Sequence, residues 1–134
     1  MKKPFQIFSI LLLFMASFGC QKISIPNEEA AKIFGKWDYK GNTGGYSGSG
    51  GSTRFCSECW VEFTEKGYFN VYDGNKKISK EKFKIEKRNS ISGATEKLAL
   101  VYKNGTYETF QFNGENLLIS EEVYDGYMYS FTRK

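Results

Sequence analysis

From Lys36 onward the chain alternates between apolar and polar positions with a period of two. Trp37 and Tyr39 stand between Lys36, Asp38 and Lys40; Val61 and Phe63 flank Glu62; Phe69 and Val71 flank Asn70. The same alternation carries Phe83 with Ile85, Leu98 with Leu100 and Tyr102, Phe110 with Phe112, Leu117 with Ile119, and Tyr127 with Tyr129 and Phe131. Successive side chains of a strand point to opposite faces, so this pattern predicts strands with one buried face. It predicts eight of them, over about residues 36–41, 54–64, 68–73, 77–87, 97–103, 107–113, 116–122 and 127–133.

Turn residues punctuate the strands: Glu65-Lys66-Gly67, Asp73-Gly74-Asn75, Asn89 to Gly93, Asn104-Gly105, Asn113-Gly114 and Asp125-Gly126. Asn-Gly and Asp-Gly supply the positive φ that tight hairpins demand. The last strand can cover its edge by pairing with the first. The expected fold is therefore all-β: an eight-stranded antiparallel up-and-down barrel. One short helix is expected before it, over Pro26 to Gly35, with Asn27 as N-cap, Glu28 and Glu29 in the first turn and Gly35 as the stop.

Composition sharpens this picture. The 134 residues fit one folded domain, 17% of them are aromatic, and 14 Gly stand against 2 Pro, which suits strands joined by turns. The formal charge of +4 includes Lys2 and Lys3, so the remainder is nearly balanced and gives no case for nucleic-acid binding.

Those two lysines open a distinct N-terminal segment. They precede an apolar run from Phe5 to Phe18. The run is shorter than the about 20 residues of a membrane-spanning helix and matches the apolar region of a signal peptide. It ends in Ser17-Phe18-Gly19-Cys20, which resembles the lipobox of bacterial lipoproteins, although Leu is usual where Ser17 stands. The expected organisation is a signal peptide over 1–19, a lipidated Cys20 with a tether to residue 26, and a barrel domain over 27–134. Two or three acyl chains anchor a protein stably where one does not. No acidic run follows Cys20, so the expected location is the cell envelope, on the outer membrane facing the periplasm.

The barrel also carries a family resemblance. Gly35-Lys36-Trp37 resembles the Gly-x-Trp motif of lipocalins and, as in that family, follows a short helix. Arg133 ends the eighth strand, where lipocalins place an Arg over that Trp. Phe63 to Phe69 and Val123 to Tyr127 are similar to segments of small bacterial lipocalin-like lipoproteins. The resemblance covers residues 33–134. It implies that Gly35, Trp37 and Arg133 close the barrel, and that the first inter-strand loop covers its open end. The Thr-Asp-Tyr motif of many lipocalins is absent; Asn113-Gly114-Glu115-Asn116 occupies that turn. Receptor recognition is therefore not carried over.

Four further features bear on chemistry. Six glycines fall between residues 41 and 51, in a run that fits neither a phosphate loop nor a Gly-x-Ser-x-Gly elbow. It is expected to be a surface loop or a lid, with Tyr46 as its contact residue. Cys56 and Cys59 are a disulfide candidate. Residues three apart in a straight strand lie about 10 Å apart, so a bond requires a turn at Ser57-Glu58. Free thiols, a redox pair and a metal site are the alternatives. Lys76, Lys77, Lys80, Lys82, Lys84, Lys87 and Arg88 form a basic stretch, either a solvated face or a contact for anionic lipid head groups. The chain has no His, the commonest general base, and its carboxylates are scattered apart from Glu28-Glu29 and Glu121-Glu122. Neither an enzyme nor a metal or other cofactor is expected.

Two functions remain. One is a carrier that holds a small apolar or amphipathic ligand against Tyr46, Phe63, Phe69, Phe83, Phe110, Phe112 and Tyr129. The other is a solid barrel that acts on envelope partners through its loops and surface. Eight strands lie at the margin between a filled interior and room for one ligand.

Overall fold

A computed structural model describes residues 21–46, 54–91, 93 and 95–134. The leader, Cys20 and residues 47–53 of the Gly-rich run lie outside the described residues. Eight antiparallel strands close into one barrel: β1 (Gly35–Gly44), β2 (Cys59–Phe63), β3 (Tyr68–Asp73), β4 (Lys76–Asn89), β5 (Glu96–Tyr102), β6 (Tyr107–Asn113), β7 (Asn116–Glu121) and β8 (Tyr127–Arg133). Each strand pairs with the next, and β8 returns to β1 with Trp37 opposite Arg133. The closure leaves no free first or last strand to template aggregation.

The core is the inward half of the alternation. Val61, Phe63, Phe69, Phe83, Leu100, Leu117, Ile119, Tyr129 and Phe131 are all buried in one cluster. Phe112 is only partly buried, at the edge of the cluster, with its ring 6.1 Å from Trp37 and 6.0 Å from Phe110.

Three element boundaries differ from the sequence expectation. β2 starts at Cys59 and not at residue 54, because Cys56 and Cys59 are joined in a disulfide with their Cα atoms 5.0 Å apart. The Cys59 amide donates to the Cys56 carbonyl, so the bond closes a turn. β1 continues to Gly44 because a bulge between Tyr39 and Gly41 resets its pairing with β8, which then runs on to Gly44 opposite Tyr127. The helix, α1, is a single turn over Glu28–Ala31, capped by Asn27 Oδ1 accepting from the Ala30 amide. Gly35 is not its stop. It is the first residue of β1.

Gly35 has a specific reason to be Gly. Its φ is +119°, and a Cβ there would sit 2.9 Å from the Arg133 guanidinium. That guanidinium lies 3.8 Å from the Trp37 ring and donates to the carbonyls of Phe34 and Lys32. The Trp37 indole donates to the Ile33 carbonyl at 2.7 Å. The chain between α1 and β1 is thus held across one end of the barrel by two donors that also stack on each other. Arg133→Lys keeps the charge but loses the planar fork. It is expected to cost about 1–2 kcal/mol, read as a lower denaturation midpoint. An unchanged midpoint would show that Arg133 merely covers the ring.

β4 is long because it serves two partners in succession. Lys76 to Lys82 pair with β3, whereas Phe83 to Asn89 pair with β5. Beside the second half of β4 the chain just after Cys20 runs along the β2–β3 turn. The Ile23 amide donates to the Glu65 carbonyl, and the Ile23 side chain lies where a Cβ on Gly67 would be.

Candidate functional site

The interior of the barrel is where a carrier would hold its ligand, and its wall is aromatic. Phe63 stacks on Phe69 with centroids 4.8 Å apart and meets Phe83 edge-on at 5.8 Å. Phe110 and Tyr129 are buried on the same inward face.

Two residues of the β1–β2 connection enter this space. The Phe55 ring lies 5.1 Å from Tyr129, 5.2 Å from Tyr39 and 5.5 Å from Phe131, and is 7% exposed. The Arg54 guanidinium stands 5.1 to 5.8 Å from the rings of Phe55, Tyr129 and Phe69. It forks onto Glu108, giving one hydrogen bond to each carboxylate oxygen. Tyr102 donates its hydroxyl to the same carboxylate. Glu108 is 6% exposed and shares the inward face of β6 with Phe110. The barrel therefore contains a bidentate ion pair with a phenol on it, roofed by a phenyl ring. A buried carboxylate needs such partners, because taking an ion out of water costs several kcal/mol unless it is paired and bonded.

The electrostatics follow from this geometry. Burial alone would lower the Arg54 pKa, but the hydrogen bonds and charge of Glu108 outweigh it and hold the guanidinium protonated beyond the ordinary range. Burial pushes the Tyr102 hydroxyl well above the usual tyrosine range, and the Glu108 charge adds to it. Burial also raises the Glu81 carboxyl, opposed by Arg54 and helped by Glu108. The Tyr102 shift has a sign for stability. In the unfolded chain a tyrosine ionises near pH 10, whereas folded Tyr102 keeps its proton. Its contribution is complete below about pH 10 and is lost as pH rises above that value, because the unfolded state releases its proton first. Tyr102→Phe is therefore expected to flatten the fall in stability above about pH 10, measured by urea denaturation. Parallel curves for the two proteins would refute this role for Tyr102.

The remaining candidates fall elsewhere. Tyr46 is 98% exposed. Glu121 and Glu122 are not loose surface groups. Glu121 accepts from the Tyr127 amide and the Tyr129 hydroxyl. Glu122 accepts from the Ile91 amide and the hydroxyls of Ser90 and Thr109. They fasten loops beside an outer groove of about 400 Å³. Lys80, Lys82 and Lys84 are exposed on β4, with the Lys80 ammonium 4.1 Å from the Tyr68 ring.

Sequence reasoning missed Arg54, Phe55, Tyr102 and Glu108 as a unit. The parity of β5 and β6 carried a signal for the last two: Tyr102 follows Leu98 and Leu100 in step, and Glu108 precedes Phe110. Arg54 and Phe55 stand at the start of the strand expected over about 54–64, and that expectation carries no signal of their entry into the barrel. Among the described residues no three potential metal ligands gather, and no helix is long and apolar enough to cross a membrane. Comparison with protein-family models, with curated proteins and with solved structures finds no match to this chain.

Proposed function

We propose that this chain is a lipid-anchored envelope protein, held by Cys20, whose lipocalin-like barrel is filled and acts through its outer surface. The observation that carries this reading is the entry of Arg54 and Phe55 into the barrel. They take up the space between the inward rings and tie it to Glu108. The contact of Arg133 with Trp37 behind Gly35 supports the lipocalin-like part of the reading. The anchor rests on the Lys2-Lys3, apolar and Ser17-Phe18-Gly19-Cys20 succession.

A carrier of a small apolar ligand is the second reading. One feature favours it: Arg54 and Phe55 belong to a connection outside the strand ladder, so their withdrawal would leave the barrel intact. Native mass spectrometry of protein taken from its own membranes, with a fluorescent apolar probe, separates the two. The filled barrel is expected to carry no bound molecule and to leave the probe dark. Co-purifying lipid, or probe binding with a one-to-one stoichiometry, would overturn it in favour of the carrier. Cys20→Ala is expected to move the protein from the membrane to the soluble fraction; retention of all of it in the membrane would reject the lipid anchor.

A further inference from the structure

With Arg54 and Phe55 inside the barrel, a groove of about 950 Å³ lies on its outside. It exists because β4 changes partner. Below Lys82 the strand has left β3, and residues Gln21 to Ser24 lie alongside instead. Lys22, Lys66, Lys82, Lys84 and Lys103 line the groove, drawn from the N-terminal segment, the β2–β3 turn, β4 and the β5–β6 turn. Glu86 also lines it and is bonded to Arg88, and Lys22 is paired with Glu65. Lys66, Lys82, Lys84 and Lys103 are all exposed. The sequence shows a basic run on one strand only; the fold adds lysines from three other segments.

The position of this charge is informative. Gln21, which is bonded to Cys20, is itself a wall of the groove. The Ile23 contacts at Glu65 and Gly67 fix the segment there, so the chain does not leave the barrel through a free tether. Any acyl chain on Cys20 therefore starts beside the lysines. We infer that this groove is the membrane-docking face, and that it receives the head groups of anionic phospholipids in the leaflet holding the anchor. The inference rests on the lipid-anchor reading for its orientation, and on charge and shape for its ligand. A lysine brought to an anionic surface adds about fivefold to partitioning. Four exposed lysines are enough to hold one face down on a surface to which the acyl chains already tether the protein.

The test uses the lipidated protein, purified in detergent and returned to vesicles of phosphatidylcholine alone or with phosphatidylglycerol. Intact mass first establishes the acyl groups on Cys20. Lysines are then acylated with a water-soluble active ester, and each site is quantified by peptide mass spectrometry. Lys66, Lys82, Lys84 and Lys103 are expected to react at least about fivefold more slowly on the anionic vesicles. Lys97, which lines the other groove, should keep its rate. Salt near 1 M, where the screening length is about 3 Å, should abolish the protection. The paired change Lys82→Glu with Lys84→Glu should restore fast reaction at Lys66 and Lys103. Equal rates on both vesicles would overturn the docking face, as would the same protection from soluble glycerol phosphate with zwitterionic vesicles. If Cys20 carries no acyl group, the anchor reading fails alone. Co-sedimentation of that protein with the same vesicles then decides the groove: pelleting with anionic vesicles only supports it, and no pelleting rejects it.

Discussion

Glu108→Gln is expected to destabilise the protein by about 3 kcal/mol, although it changes a single oxygen to an amide nitrogen. The reason lies in what remains. Arg54 would keep its charge between Phe55, Phe69 and Tyr129 without the carboxylate that forks onto it, leaving Glu81 to interact with it through charge. Removing one partner of a buried pair costs about 3–5 kcal/mol, and Arg54 belongs at the lower end because its side chain is 29% exposed. The amide also points donors toward those of Arg54 and Tyr102. The double change Arg54→Met with Glu108→Leu should recover most of the loss, since it deletes the charges together. Urea denaturation of Arg54→Met, Glu108→Leu and the double variant gives the coupling directly. A cost below about 1 kcal/mol for Glu108→Gln would mean that Arg54 has water to turn to, and the plug would be loose.

This cluster also marks the limit of what the sequence reveals. The strands were legible because the core takes mainly every second residue, and antiparallel sheets write that difference as a period of two. The closure is expected from the pairing of the last strand with the first, and the lipocalin resemblance implies Trp37 and Arg133 there. Alternation reports which way a position faces, but not what its side chain will meet. Glu108 on an inward position looks like an error in the pattern until Arg54 is seen, and Arg54 is 54 residues earlier in the chain. The outer face holds the converse case. Ala99 and Thr109 sit on the face that should be wet, yet are 0% and 2% exposed. Ser90 and Ile91 reach Glu122, which also binds Thr109, so these two residues just after β4 fold back toward that face. Such returns depend on contacts between segments and leave no period behind.

The groove was half legible for the same reason. Lys80, Lys82 and Lys84 announce one charged face of β4 through their spacing. Lys22, Lys66 and Lys103 are unremarkable in their own stretches and join the others only through the partner change of β4 and the course of Gln21 to Ser24. A basic strand becomes a basic concavity through topology.

Phe55→Ala is expected to have the largest effect of any single truncation at the barrel mouth, in both stability and binding. The Phe55 ring touches Tyr39, Tyr129 and Phe131 and approaches Phe69 at 6.5 Å, so its removal leaves a void walled by rings on several sides. Replacing a buried Phe by Ala costs about 3–5 kcal/mol, from lost transfer energy and from a cavity that the rigid sheet cannot collapse. Apolar cavities of about 150 Å³ stay dry and take up benzene-sized molecules. The variant should therefore bind a small apolar probe that the parent protein leaves in solution, and saturating probe should return part of the lost stability. The contrast with a carrier is sharp. If Phe55 were a gate over a ligand site, the parent would bind the probe already, and the variant would bind it more tightly because nothing would have to be displaced. Titration calorimetry on the two proteins distinguishes these outcomes. Binding by the variant alone supports a filled barrel, and binding by the parent rejects it.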